Sequence, residues 1–146
     1  MSILGIDYGD RKVGLAKAVE GSTLAVPLEV VMNAGMRPLL RTLKQICERE
    51  GVTAVVVGVP VSLAGHGAGE GKLRPADYAN EQMQKVLDFV ERLRASLGLE
   101  VVTQDERLST QEANRLSADR RKGASEDAVA AMIILQAYLD RVGYRI

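Results

Sequence analysis

Apolar and polar positions along the chain alternate between two periods. Ile3 to Tyr8 is a short apolar run closed by Gly9, which predicts a strand. Val13 to Val19 follows a tight Gly9-Asp10-Arg11-Lys12 turn and predicts a second strand, and Leu24 to Met32, rich in Val and Leu, predicts a third. Their close spacing favours an antiparallel meander. Pro27 lies inside the third run and has no N–H for a central ladder, so that strand is expected at an edge or to start late. From Pro38 the period lengthens. Leu39, Leu40, Leu43, Ile46 and Cys47 form a helical stripe that Gly51 ends. Thr53 to Val59 is a β-branched run of the kind buried on both faces of a sheet. A loop follows from Pro60 to Arg74, with glycines at 65, 67, 69 and 71. Pro75 to Leu97 reads as a long amphipathic helix stopped by Gly98, and Leu99 to Gln104 as another strand. Ser109 to Leu116 reads as a short helix, Ser117 to Gly123 as a polar, basic connector, and Ser125 to Val142 as an almost wholly apolar, buried helix.

Three neighbouring strands followed by β-α alternation predict an α/β fold. The sheet is mixed and five-stranded, with three antiparallel strands, then parallel ones, and helices on both faces. At 146 residues, 47% of them hydrophobic and 26% charged, the chain fits a single globular domain spanning 1–146. Nineteen basic residues balance nineteen acidic ones, which excludes a strongly basic nucleic-acid coat but not a local basic patch. One cysteine cannot form an internal disulfide, and no apolar run approaches the roughly 18 residues of a membrane span. A soluble cytoplasmic protein without a membrane partner is expected.

Carboxylates then stand out by position. Asp7 ends an apolar strand, Asp105-Glu106 follow another, and Glu126-Asp127 open the most apolar helix. A charge at the edge of a core is costly unless paired, hydrogen-bonded or metal-bound. Ligands of α/β sheets gather beyond the carboxyl ends of strands. Converging acids repel one another, and a hard cation such as Mg²⁺ or Mn²⁺ removes the repulsion. Asp127 shares a helix face with Ala130, Ala131 and Ile134, and the two small alanines would let the helix start lie close to the sheet. Glu126 has its own apolar neighbours at Val129 and Ile133, so periodicity does not choose between the two. The ordinary alternatives are a first-turn acid complementing the helix dipole and a post-strand acid capping a turn.

The motifs resemble a known family. Gly5-Ile6-Asp7-Tyr8-Gly9-Asp10-Arg11-Lys12-Val13-Gly14-Leu15-Ala16 is similar to the opening motif of the YqgF family. Val57-Gly58-Val59-Pro60 resembles its strand-to-loop motif, and Asp105-Glu106-Arg107-Leu108-Ser109-Thr110 its most distinctive signature. Asp127-Ala128-Val129-Ala130-Ala131, Ile133-Ile134-Leu135-Gln136 and Tyr138-Leu139 resemble its final helix. The resemblance spans almost the whole chain in the family's order. It implies an RNase H-like fold and a metal-dependent nuclease, either maturing the 5′ end of small-subunit ribosomal RNA or acting as a Holliday junction resolvase on branched DNA. On matching positions it makes Asp7, Glu106 and Asp127 the catalytic, metal-binding triad for Mg²⁺ or Mn²⁺, choosing Glu106 over Asp105 and Asp127 over Glu126. The family's glycine loop usually carries an acidic or amide residue where Ala64 stands, and this loop is stretched by His66 to Lys72.

Under that resemblance, two cations about 3.5–4 Å apart activate water and stabilise the leaving oxygen, with Asp7 bridging them and no protein nucleophile needed. His66, the single histidine, reads as an exposed loop residue, and Cys47 as a core residue. Nucleic-acid binding is expected from Arg107, Arg115, Arg120, Arg121 and Lys122, with Arg11 and Lys12 beside the Asp7 strand. Ser109 and Thr110 fit either a phosphate contact or an N-cap. Aromatics at 3% leave little scope for base stacking, so contacts are expected mainly to the backbone. The competing classes are a non-catalytic nucleic-acid-binding module and an ATP-binding domain of the sugar kinase and actin group. The latter group needs two such domains around a cleft, and the glycine loop matches no nucleotide fingerprint. Monomer and homodimer both remain open.

Overall fold

The computed structural model describes residues 1–60, 73–105 and 125–143, with side chains from 81 onward in the second stretch. Its strands are β1 (Ser2–Asp7), β2 (Lys12–Val19), β3 (Val26–Met32), β4 (Val52–Val59) and β5 (Glu100–Asp105). Its helices are α1 (Met36–Glu50), α2 (Leu73–Leu97) and α3 (Glu126–Gly143). The strands form one five-stranded sheet in the order β3-β2-β1-β4-β5. β1, β2 and β3 pair antiparallel, and β4 and β5 run parallel to β1. The predicted mixed sheet is therefore present, with helices on both faces.

Local chemistry accounts for the element ends. Pro27 lies in the outermost strand, where its missing N–H leaves no ladder bond unmade, and the β2–β3 register shifts there. α1 stops at Gly51, whose φ of 66° is left-handed and whose N–H reaches the carbonyls of Cys47 and Glu48. α2 starts two residues before the predicted Pro75, because a proline in the first helical turn has no intrahelical N–H bond to lose. The rest of the predicted glycine loop, residues 61–72, lies outside the described residues, as do the predicted helix Ser109 to Leu116 and the connector Ser117 to Gly123.

Alternation along the strands sorts the core into two sides. Leu4, Ile6, Val13, Leu15, Val55, Val57 and Val59 pack with Leu39, Leu43, Ile46 and Cys47 of α1 and Val86, Phe89, Val90 and Leu93 of α2. On the other side Ala16, Ala18 and Val56 pack with Ala131 to Leu135 of α3, and Ile3 joins them at the margin. Gln136 is the buried polar residue of α3. Its amide oxygen accepts from the Ala25 N–H at 3.0 Å, and its nitrogen donates to the Thr23 carbonyl at 2.8 Å. It thereby ties the β2–β3 connection to the helix. No described helix is long and apolar enough to cross a membrane.

Candidate active site

Asp7 is the last residue of β1, and strand parity sets where it faces. Ile3 packs toward α3, and a side chain on Gly5 would meet Leu135 Cβ at 2.7 Å. Asp7, two residues further on, therefore faces the α3 side as well. Its partner across the antiparallel ladder is Gly14. A Cβ on Gly14 would collide with the backbone carbonyl of Asp127. The start of α3 thus rests on the bare backbone of β2 at the residue paired with Asp7, roughly 4.5–5.5 Å across the ladder. That glycine lets the backbone of Asp127 come down on β2 at the ladder partner of Asp7.

The helix start also separates the two first-turn acids. The Ser125 hydroxyl accepts from the Ala128 N–H at 3.3 Å, and the Ser125 carbonyl accepts from Val129 at 3.0 Å, so Ser125 is the N-cap. Capping is done without Asp127. Asp127 is half-buried, whereas Glu126 is exposed.

Asp105 ends β5 and belongs to the other side of the sheet. Val101 packs among the α1 and α2 residues, and Val102 packs toward α3. Gln104 is buried on the α3 side and accepts from Arg141 Nε of α3 at 3.2 Å. Parity then turns Asp105 away from Asp7. Between them, Gly58 of β4 shares the side of Val56 and puts no side chain in the path from Asp7 to the end of β5. Glu106 lies outside the described residues, as do Arg107, Arg115, Arg120, Arg121 and Lys122. Among the described residues, no three His, Cys, Asp or Glu side chains gather closely enough to hold a metal ion.

The turn after Asp7 carries the two remaining predicted binding residues. Arg11 and Lys12 are exposed. Asp10 meets Lys85 of α2 at 3.6 Å, so its charge is partly offset and the turn presents net positive charge. Tyr8 stacks on Phe89 of α2 with ring centroids 4.3 Å apart. A Cβ on Gly9 would lie 2.5 Å from the Lys12 carbonyl, so the turn requires glycine there. Cys47 sits in the core, where burial first and the Glu48 charge second push its thiol up to about 11. A protonated, buried thiol is no nucleophile. The sequence reading missed Gly5 and Gly14, although their parity with Asp7 was a usable signal.

A model of the RuvX family, described as Holliday junction resolvase, matches residues 1–141. The chain belongs to this family. A RuvX relative from Desulforudis audaxviator, named "Putative pre-16S rRNA nuclease", is 37% identical over 96% of this chain and 94% of its own length. A relative of the same name from Rickettsia conorii is 30% identical over 96% of this chain and 86% of its own. Among solved structures, Thermus thermophilus RuvC in complex with Holliday junction substrate superposes with a TM-score of 0.64 at 18% identity, covering 98% of this chain and 96% of that one. At that identity the likeness establishes the fold, which is the RNase H-like nuclease fold expected from the motifs.

Proposed function

We propose that this RuvX chain is a single-domain nuclease that cleaves precursor small-subunit ribosomal RNA with Mg²⁺ or Mn²⁺ held by Asp7, Glu106 and Asp127. The observation that carries the proposal is the seating of Asp127 on Gly14, the ladder partner of Asp7. Two half-buried carboxylates at the carboxyl end of a central strand are hard oxygen donors of the type these cations take. The names of the relatives from Desulforudis and Rickettsia support the substrate. Asp105 faces the opposite side, which supports Glu106 as the third acid.

When bound, the cations supply an activated water and stabilise charge on the phosphate and leaving oxygen. Asp7 and Asp127 would hold the cations, tying that chemistry to the end of β1 and to the start of α3. Arg11 and Lys12 take backbone phosphates beside Asp7, and Arg107, Arg115, Arg120, Arg121 and Lys122 extend the track. Such contacts weaken as salt rises and carry little base specificity. A cytoplasmic location belongs to this reading, and a single buried cysteine outside any disulfide supports it.

The test is cleavage mapping on precursor ribosomal RNA and on four-way DNA, with and without Mn²⁺, using wild type and Asp7→Asn. Cleavage of the RNA by wild type and its loss in folded Asp7→Asn is the expected result. Cleavage of four-way DNA alone moves the substrate to branched DNA and leaves the site intact. Binding without turnover would make the chain a nucleic-acid-binding module.

A further inference from the structure

The turn that joins Asp7 to Arg11 and Lys12 is hydrogen-bonded from outside by the Asn33 side chain, which the proposed chemistry does not use. Asn33 follows the last residue of β3, just past the Lys12–Met32 pair that closes the β2–β3 ladder. Its backbone N–H donates to the Arg11 carbonyl at 2.8 Å. Its side-chain nitrogen donates to the Gly9 carbonyl at 2.9 Å, and its side-chain oxygen accepts from the Gly35 N–H at 3.2 Å. One amide therefore links the Asp7 turn to the entrance of α1, which has no side-chain cap of its own. Gly35 has a φ of 114°, a conformation other residues rarely adopt, so the chain enters α1 along a fixed path.

We infer that Asn33 is a positioning residue: by holding the Gly9 and Arg11 carbonyls it fixes the turn that follows Asp7 and sets the Arg11 side chain against substrate phosphate. The inference rests on the nuclease reading above. Its physical basis is that the closely folded Gly9 has no side chain of its own to anchor, so beyond the exposed Asp10–Lys85 pair the turn is held through the Gly9 and Arg11 carbonyls. Tyr8 is already fixed by its stack on Phe89, and Lys12 by the ladder. The span between them is what Asn33 pins, through the carbonyls of Gly9 and Arg11. An amide is needed because the two side-chain contacts require one donor and one acceptor at opposite sides of the same group. Aspartate keeps the acceptor toward Gly35 and loses the donor toward Gly9, so it separates a role at the turn from a role at the helix entrance.

The experiment uses the full chain as wild type, Asn33→Ala and Asn33→Asp. Trypsin sensitivity after Arg11 and Lys12, without metal or substrate, reads the turn directly. Steady-state cleavage of precursor ribosomal RNA in Mn²⁺ reads the site. The expected result is faster tryptic cutting in both variants and an RNA kcat/KM lower by on the order of tenfold, the size one lost hydrogen bond supports. The loss should fall mainly on KM, because the turn and Arg11 shift while Asp7 and Lys12 stay in their ladders, and the thermal unfolding midpoint stays within a few degrees of wild type. Asn33→Asp behaving as wild type would overturn the inference, since the helix-entrance contact would then be the one that matters. Unchanged tryptic sensitivity in both variants would also overturn it, as would loss of cooperative unfolding in both. If wild type cleaves no nucleic acid, the nuclease reading fails, and the trypsin arm still decides whether Asn33 holds the turn.

Discussion

The two sides of the sheet are packed by different rules. Toward α1 and α2 the strands present Leu4, Ile6, Val13, Leu15, Val55 and Val57, and the helices answer with Leu39, Leu43, Phe89 and Leu93. Toward α3, β1 and β2 present Gly5, Gly14, Ala16 and Ala18 between the larger Ile3, Val56 and Val102, and α3 comes against backbone at the two glycines. Bulky side chains keep a helix at a distance, and glycine and alanine let it approach. The first side accumulates buried area, worth about 25 cal/mol per Å². The second gives up that area for proximity, and what it brings close is the Asp127 backbone to the ladder partner of Asp7. The proposed site at the carboxyl end of β1 would draw stability from one side of the sheet and position from the other.

Substitutions should separate the two roles. The largest effect is expected from Gly14→Ala, whose methyl group would strike the Asp127 carbonyl. It should cost about 1–3 kcal/mol of stability by overpacking and lower cleavage by folded molecules about 100-fold or more, because the helix start must move away from Asp7. Urea unfolding and kcat/KM per folded molecule measure the two parts. Leu43→Ala on the opposite side should cost about 2–5 kcal/mol through a buried cavity and leave cleavage by the folded fraction unchanged. Gly5→Ala should fall between them in its effect on cleavage. Its methyl group would meet the Leu135 side chain, further from the α3 start, and a cost of about 1–2 kcal/mol with a few-fold loss of cleavage is expected.

The smallest effect concerns the polar staple on the α1 side. The Glu50 carboxylate accepts from Lys17 Nζ at 2.8 Å and from Arg49 Nε at 2.9 Å, and Arg49 also reaches Glu29 at 2.6 Å. The Lys17 bond first and the Arg49 bond second hold Glu50 below the usual carboxylate range. A depressed folded-state value stabilises above the unfolded-state value and loses that contribution as pH falls through the folded one. Glu50→Gln should therefore flatten the acid limb of the stability–pH curve, measured as the urea midpoint, and leave cleavage untouched.

Much of this was legible in the sequence. The runs from Ile3, Val13, Leu24, Thr53 and Leu99 became strands within one or two residues at each end, because each is bounded by glycine, proline or a polar turn. Pro27 announced the edge strand. What the pattern could not show depends on contacts between distant segments. It offered Ala130 and Ala131 as the small residues that bring α3 close, whereas the room comes equally from Gly5 and Gly14 on the strands. The pattern left Asp105 and Glu106 level; the family resemblance chose Glu106, and the register of β5, with Val102 and Gln104 on the α3 side, turns Asp105 away from Asp7. Gln136 and Asn33 gave no signal, because the groups they satisfy lie far away in the chain or across a turn.

The most direct measurement is calorimetric titration of Mn²⁺ into wild type, Asp127→Asn and Glu126→Gln, with unfolding midpoints recorded for all three. The neighbouring carboxylates share a helix turn, yet only Asp127 rests on the residue paired with Asp7. The expected result is Mn²⁺ binding weakened at least about tenfold in folded Asp127→Asn and unchanged in Glu126→Gln, a difference of about 1.4 kcal/mol or more. Equal binding by Asp127→Asn and wild type would contradict a cation site built where α3 meets β1 and β2.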